Sequence, residues 1–457
     1  MFEIVIRDGT LVDPCSKRST VANIGISGGK IVKITREQIE GKTTISAKGK
    51  IVCPGFIDPH AHVEGNADCA KVMAAMGVTS VINGNCGNSP EQLEEFLVQQ
   101  ERQGFLINQF EQVGHTTLRV LAGNTDRYAA STKEQIARMK ELAAEAMQSG
   151  VYGLSFGLEY VPGSSFEEVL ELARVAAAYD KIVSIHTRKD CYAGLASLQE
   201  AIDISRQTGA AVNISHLTYM FGLGMAAEAI HMIEAAMREG LDISVDSGLY
   251  SAFATEIGSA VFDEDCFEKW NRDYSCIVAG TGKYRGQRLN KEMFYELRNH
   301  YPHESGIGMV GKEYEVYEIL ERPYVMVGTD AGTQYDKGHP GHPQDAGTYP
   351  KFFKQMLREQ NRISLMDAID RCTWQVAKRF HIPDKGMLAE GADADLVIFD
   401  PEEIEDKAQY PCFGNTDTRP EGITAVIIGG VLAVEGKTVK EVNPGRMYRE
   451  PLKVWEW

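Results

Sequence analysis

The spacing of apolar positions changes twice along this chain. Over residues 2–52, short strand-like segments (Glu3–Ile6, Asn23–Ile26, Lys30–Thr35 and Thr43–Ile45) are separated by Asp-Gly, Gly-Gly and Gly-Lys turns, the texture of a small antiparallel β unit. That texture returns near the end in Asp395–Asp400, Gly422–Ile428 and Val431–Glu435, broken by Gly429-Gly430 and Gly436. The two ends are expected to pair into one small β-sandwich, which would bring the termini together.

Between them, strand and helix patterns alternate. The strand candidates are Ile51–Ile57, Thr79–Asn83, Thr117–Ala122, Tyr152–Phe156, Ile182–Ile185, Ala211–Ile214, Asp242–Val245 and Tyr324–Val327. Ala-, Glu- and Leu-rich stretches with helical spacing, such as Lys133–Ser149, Phe166–Tyr179 and Met225–Glu239, lie between them. Eight strands with helical crossovers predict an α/β fold, a (β/α)8 TIM-like barrel, with a doubly wound open sheet as the alternative. Residues 250–322 are too long for a simple crossover. They carry helical pieces (Lys291–Asn299, Lys312–Leu320) and the glycine-rich run Gly280-Thr-Gly-Lys-Tyr-Arg-Gly286. They read as a lid-like insertion before the last barrel strand, or as a peripheral decoration. The expected organisation is a β-sandwich from 1–52 plus 385–457 and a barrel over 53–384.

Composition changes this picture little. The 457 residues are 43% hydrophobic and 24% charged, ordinary values with ample material for a core. The net charge of −17 argues against binding a phosphate backbone, so no nucleic-acid partner is expected. No apolar run approaches bilayer length, and the N-terminal segment lacks the basic and apolar regions of a signal peptide, so neither a membrane span nor a leader is expected. Nine scattered cysteines fit thiols in a reducing cytoplasm better than a disulfide framework. Oligomeric state is not fixed by the sequence, and a homo-oligomer is compatible with it.

Candidate chemistry gathers where strands end. The first strand runs into Pro59-His-Ala-His62, and alternate residues of an extended segment face one side, so His60 and His62 can point together at a metal. The second ends in Asn83-Gly-Asn-Cys-Gly-Asn-Ser89, presenting Cys86 between glycines. The fifth ends in His186-Thr-Arg188, the sixth in Ser215-His216, and the eighth in Gly328-Thr-Asp330-Ala-Gly332. Taken singly, each has a bland reading: a buried core thiol, a hydrogen-bonded histidine, an Asp capping a turn. Joint placement at strand ends favours a catalytic zinc site built from imidazole, thiolate and carboxylate.

With these residues in view, the chain resembles the amidohydrolase superfamily, and more closely its N-acyl-D-amino-acid deacylase (D-aminoacylase) branch, over nearly its whole length. Pro54-Gly-Phe-Ile-Asp-Pro-His-Ala-His62 is similar to the superfamily's first metal motif, and Gly84-Asn-Cys-Gly-Asn-Ser89 to the branch's cysteine ligand loop. Gly157-Leu-Glu-Tyr-Val-Pro-Gly163 and His342-Pro-Gln-Asp-Ala-Gly-Thr-Tyr-Pro350 are similar to two further branch segments. Gly391-Ala-Asp-Ala-Asp-Leu-Val397 and Pro444-Gly-Arg446 are similar to the returning strands and tail. The resemblance implies that Cys86, His186 and His216 hold a tight Zn²⁺. It also implies that His60 and His62 line a second, weaker metal position that Cys86 can bridge, and that Asp330 is the catalytic carboxylate. No lysine lies in Val151–Tyr160, so a carboxylated-lysine bridge is not available there. Glu159 is a substitute bridge or a pocket wall.

The implied activity is zinc-dependent hydrolysis of a C–N amide bond in a small molecule, with deacylation of an N-acyl-D-amino-acid-like substrate foremost. Residues that would choose the substrate depart from the branch. Thr218 stands where a lysine is common, Gln344 replaces the arginine of the HPR segment, and Gly248-Leu-Tyr250 keeps one tyrosine of a Tyr-Pro-Tyr-like segment. Arg188, Tyr160, Tyr250 and Gln344 are the candidate substrate contacts, with a structural ion pair the other reading of Arg188. His339 and His342 shape a loop or touch substrate. Two alternatives stay open: a hydrolase of a cyclic or uncharged amide, as in hydantoinases and dihydroorotases, and a non-catalytic barrel.

Overall fold

Gly55 divides what the apolar pattern presents as one strand, Ile51–Ile57. A Cβ there would lie 2.2 Å from Thr79 Oγ1, so only glycine lets the chain pass so close to its neighbour. On one side of it, Ile51–Pro54 pairs parallel with Phe2–Asp13 and antiparallel with Leu396–Phe399. On the other, Phe56–Asp58 pairs parallel with Val78–Asn83. One residue thus separates the two large sheets of the molecule, a computed structural model that describes residues 1–332 and 335–450.

The first sheet joins the chain ends, as expected. Phe2–Asp13, Arg18–Ser27, Lys30–Thr35, Gly41–Ser46 and Ile51–Pro54 share one nine-stranded sheet with Leu396–Phe399, Ile423–Ile428, Val431–Glu435 and Thr438–Val439. Ile6, Ile24, Ile26, Val52, Ile398 and Ile427 meet in a separate core against it. Residues 451–457 of the expected C-terminal segment lie outside the described residues.

The second sheet is the barrel. We label its strands β1 (Phe56–Asp58), β2 (Val78–Asn83), β3 (Asn108–Gly114), β4 (Gly153–Gly157), β5 (Ile182–His186), β6 (Val212–Ile214), β7 (Ile243–Ser247) and β8 (Val325–Val327). All neighbours pair parallel, in sequence order, as (β/α)8 connectivity requires. Closure between β8 and β1 comes just beyond their ends, at an Ala61–Ala331 parallel bridge. Asp330 N donates to His60 O at 2.8 Å, and His62 N to Ala331 O at 2.7 Å. Asp58 reinforces the seam by accepting from His60 N, Thr329 N and Thr329 Oγ1 at 3.0, 3.1 and 2.6 Å. Ile57, Ile82, Phe110, Ile182 and Met326, from five different strands, form one apolar cluster.

The third strand corrects the sequence expectation. Thr117–Ala122 is not a strand: His115–Leu121 is a helix, and β3 is the polar run Asn108-Gln-Phe-Glu-Gln-Val-Gly114. Its polar side chains are buried, against the usual composition of a strand. Asn108, Gln109 and Gln112 are tolerated because neighbours bond them. Asn108 Nδ2 donates to Thr79 O at 3.0 Å, Gln109 Nε2 to Gln100 Oε1 at 3.0 Å, and Gln112 Nε2 to Asn85 Oδ1 at 2.9 Å, while Gln112 Oε1 accepts from Ser184 Oγ at 2.9 Å. The β-branched positions of Thr117–Ala122 point to a strand only when tertiary context is ignored.

Helix starts follow local rules. Lys133–Gln148 begins with a capping box: Thr132 Oγ1 accepts from Gln135 N at 3.2 Å and Gln135 Oε1 from Thr132 N at 2.9 Å. Within residues 250–322, Phe253–Glu256, Ser305–Gly308 and Ile277–Ala279 form a three-stranded antiparallel sheet. It has an aromatic-rich core including Phe253, Phe262, Trp270 and Phe294. No helix among the described residues is long and apolar enough to cross a membrane.

The short helix after β3 is pinned by a buried ion cluster. Glu168 Oε1 lies 2.7 Å from His115 Nε2 and 2.6 Å from Arg119 Nη1, with all three side chains buried. Burial alone would raise the Glu168 carboxyl, but His115 and Arg119 hold it at about 2. A carboxylate depressed in the folded state contributes stability above the unfolded value of 4.5 and loses it as pH falls toward 2. Glu168→Gln should therefore cost on the order of 3 kcal/mol at pH 7, with the gap to wild type closing below about pH 4.5. Denaturant unfolding across that pH range checks this; a gap that stays constant contradicts it.

Candidate metal centre and active-site cleft

Three non-glycine residues with left-handed backbone, Cys86 (φ 51°), His216 (φ 33°) and Asp330 (φ 59°), sit at the ends of β2, β6 and β8. Such conformations cost of order 1–3 kcal/mol each and persist only where the surroundings impose them. Around Cys86 the cause is the flanking glycines. A Cβ on Gly84 would lie 2.1 Å from Gln112 O, and one on Gly87 2.9 Å from Gly157 N. The loop is therefore pressed onto β3 and β4. Ser155 Oγ ties both sides of it, accepting from Gly87 N at 3.0 Å and donating to Gly84 O at 2.5 Å.

The result is a convergence of donor atoms. Cys86 Sγ lies 3.4 Å from His216 Nε2 and 3.7 Å from His186 Nδ1, and those two nitrogens are 2.9 Å apart. On its other side Cys86 Sγ is 3.3 Å from His60 Nε2, while Asp330 Oδ1 lies 3.5 Å from that nitrogen and 3.2 Å from His62 Nε2. Two groups able to hold a cation share the cysteine: Cys86, His186 and His216, and His60, His62, Cys86 and Asp330. Ligands on one tetrahedral zinc with arms of about 2.0–2.3 Å stand roughly 3.3–3.7 Å apart. The separations from Cys86 Sγ match this. The 2.9 Å between the His186 and His216 nitrogens is tighter, and the imidazole, thiolate and carboxylate chemistry of both groups fits a zinc ion.

Electrostatics support the same fit. Burial would raise the Cys86 thiol, but the imidazoles of His60 and His216 beside it hold it well below its ordinary value. Burial would lower His186, yet Cys86 and Glu159 bring it up to about 9. For Asp330, burial is outweighed by His62, which holds the carboxyl below its ordinary value. A buried thiolate and carboxylate surrounded by imidazoles is a donor set in which a divalent cation can replace protons.

The remaining residues singled out from sequence divide into two groups. Tyr160 lines the cleft, its ring 4.7 Å from that of His186. Arg188 is turned away: its Nε and Nη2 donate to the two oxygens of Glu200 at 2.9 and 2.7 Å, the structural ion pair. Tyr250 packs on His342 and Tyr410, with Lys351 Nζ 4.2 Å from its ring centre, apart from the cleft. Gln344 is buried behind the site, donating to Asp330 O at 2.5 Å and accepting from Tyr219 Oη at 2.8 Å. Thr218 is also buried, its Oγ1 2.5 Å from Ser247 Oγ. His339 pairs with Asp417 on the surface, and His342 Nδ1 accepts from Gln344 N at 3.1 Å. Glu159 reaches not the shared space but the far nitrogen of His186, Oε2 to Nε2 at 3.3 Å.

Sequence reasoning passed over Asp246. It lies on β7, accepts from His216 N at 2.8 Å and Asn213 Nδ2 at 2.6 Å, and stands 3.3 Å from His60 Nδ1. It thereby orients two histidines at once. Inspecting the end of every strand, the rule that found the other residues, would have reached it in Val245-Asp-Ser247.

A cleft of about 650 Å³ opens onto this cluster, lined among others by His62, Cys86, Asn88, Arg127, Tyr160 and Glu256. Two cations border it. Arg119 is engaged by Glu168. Arg127 donates from Nη1 to Gly258 O at 3.1 Å and has no carboxylate partner among the described residues.

Comparison with known proteins agrees with this geometry. Residues 51–244 and 300–434 match amidohydrolase family models. The chain is similar to two proteins of Alcaligenes xylosoxydans xylosoxydans. One is a D-aminoacylase, 29% identical with 98% of this chain and 97% of the relative covered. The other is an N-acyl-D-glutamate deacylase, 29% identical with 99% and 98% covered. It is also similar to the solved N-acyl-D-glutamate deacylase of Bordetella bronchiseptica, complexed with zinc and a phosphonate inhibitor that mimics the tetrahedral intermediate. That likeness has a TM-score of 0.85 and 26% identity, covering 98% of this chain and 99% of the other. Matches to both parts of the barrel, and a likeness that runs nearly end to end, mean that the chain belongs to the amidohydrolase family, in its D-aminoacylase-like branch.

Proposed function

We propose that this protein is a zinc-dependent hydrolase of the C–N amide bond of N-acyl-D-amino acids. The observation that carries the reading is the shared cysteine: Cys86 Sγ lies within 3.3–3.7 Å of His60, His186 and His216, with Asp330 alongside. In this reading Cys86, His186 and His216 hold the tight zinc, and His60 and His62 border a second, weaker position. Residues 53–384 are the catalytic unit, flanked by a β-domain built from 1–52 and the strands after residue 385, while Met447–Tyr448 returns to pair with barrel strand β3. Support comes from the nearly full-length similarity to a D-aminoacylase and two further deacylases of N-acyl-D-glutamate and N-acyl-D-aspartate.

Zinc bound there would lower the pKa of a water to about 7 and polarise the amide carbonyl. Asp330, on the cleft side of β8 and ionised, takes the proton of the attacking water and returns it to the leaving nitrogen, which cannot depart as an anion. His62, 3.2 Å from Asp330 Oδ1, holds the carboxylate in place. Gln344, bonded to the Asp330 carbonyl, fixes its backbone from behind. Tyr160 covers His186 and narrows the access of solvent.

Substrate anchoring departs from a lysine-and-arginine scheme, because Thr218 and Gln344 are neutral and already bonded within the protein. Arg127 is the cation left to meet a carboxylate in the cleft, and a charge-assisted bond of that kind contributes about 1.5–3 kcal/mol. Arg127→Ala should raise KM for N-acyl-D-amino acids about tenfold while kcat changes little; equal KM values would remove Arg127 from the substrate contacts.

Two further measurements test the reading. The zinc-loaded protein is expected to hydrolyse N-acetyl-D-amino acids and to leave hydantoins and lactams intact; turnover of the cyclic amides alone would overturn the deacylase assignment. Asp330→Asn should keep its zinc, by elemental analysis, and lose about 10²–10⁴ in kcat. Near-normal turnover would show that another group carries the proton.

A further inference from the structure

The insertion between β7 and β8 reaches the metal ligands through one short helix, Cys266–Trp270. Lys269 Nζ lies 3.0 Å from Glu159 Oε1 and 2.5 Å from Asp190 Oδ1. The next residue closes the group, Trp270 Nε1 donating to Asp190 Oδ2 at 2.6 Å. The other oxygen of Glu159 faces His186 Nε2 at 3.3 Å, while Nδ1 of that ring faces Cys86 and His216. The side chains of Lys269, Glu159 and Asp190 are 6%, 3% and 3% exposed.

Such a chain has a mechanical consequence. A carboxylate on the far nitrogen of a ligating histidine fixes the ring's tautomer and direction. It can do so only if its own rotamer is fixed, and a glutamate has three torsions to fix. Glu159 is gripped at its second oxygen by Lys269, and Lys269 in turn is held by Asp190. Neither Glu159 nor Asp190, both on loops after barrel strands, supplies the cation; the insertion does. The same insertion lays Phe253, Ala254, Thr255 and Val261 around a small void bordered by His186, His216 and Asp330.

We propose that Lys269 is a positioning residue for the zinc site, acting through Glu159 on His186, so that the insertion completes the metal centre as a fixed wall. This rests on the metal reading above. The rival is a tether that merely holds the insertion on the barrel.

Zinc affinity of the full chain, measured by competition with a chelating indicator, separates the two, with thermal unfolding of the metal-free protein recorded alongside. Lys269→Met is expected to weaken zinc binding about 10–100-fold, and Lys269→Arg, which keeps the cation, to stay within about threefold of wild type. Glu159→Gln should weaken binding to a similar degree. Adding Lys269→Met to it should weaken binding by less than about twofold more, because residues acting through one another are not additive. A Lys269→Met protein that melts earlier but binds zinc as wild type does would overturn the proposal. So would a further tenfold loss in the double variant, which removes both charges together and so remains informative if the single variant does not fold. Failure of wild type to bind zinc would instead sink the metal reading itself.

Discussion

The seam between the first and last barrel strands is the constraint on which the rest of the molecule turns. Strand β1 has three residues and β8 three, too few for a long ladder, so closure falls to the segments just beyond them. There Asp330 N bonds His60 O, and His62 N bonds Ala331 O. The bonds that close the barrel therefore run through the backbone of three residues whose side chains face Cys86. Asp58, buried and accepting two hydrogen bonds from Thr329 across the seam and one from His60 on its own side, cannot be lost without loosening both. Folding of the barrel and assembly of the candidate site are in this sense one event.

That coupling explains why strained backbone is sustained here. Cys86, His216 and Asp330 hold left-handed conformations whose combined cost is several kcal/mol. Each is imposed by a neighbour with little freedom: glycines pressed onto β3 and β4, Asp246 on the amide of His216, and Gln344 on the carbonyl of Asp330. A histidine or cysteine so fixed presents its donor atom without having to be ordered by the ion, which is what a tight site requires.

The legibility of the sequence follows the same physics. Strands β2, β4, β5, β6, β7 and β8 were readable because their apolar residues are what a doubly covered parallel strand needs. Strand β3 was not, because Asn108, Gln109 and Gln112 are buried polar residues whose bonding partners lie on other strands and helices. Chemistry at strand ends was readable wherever the residue type is itself unusual, as for His60, His62, Cys86, His186, His216 and Asp330. Asp246 escaped because an aspartate before a Ser-Gly turn has an ordinary explanation. Lys269 could not have been found, since the insertion is joined to Glu159 by folding alone. Arg188 shows the converse: a cation two residues past His186 reads equally as a substrate contact or as a structural ion pair, and only the fold decides, by engaging it with Glu200.

Chemistry and selection of substrate are built from different parts of this chain, and that division governs what can vary. Donor atoms come from strand ends held by the seam, where a shift of an ångström would spoil a metal site. The cleft wall comes from the loop after β3, which carries Arg127, and from the insertion, which carries Thr255 and Glu256. These segments bear on the site from outside the barrel, so their cleft-facing charges, as distinct from the buried Lys269, can be exchanged without disturbing closure. Thr218 and Gln344, by contrast, lie inside the frame, each bonded to a group that positions the site. A cation introduced at either place would have to break such a bond before it could reach a substrate. On the proposed function, recognition of a substrate carboxylate has therefore to come from the rim.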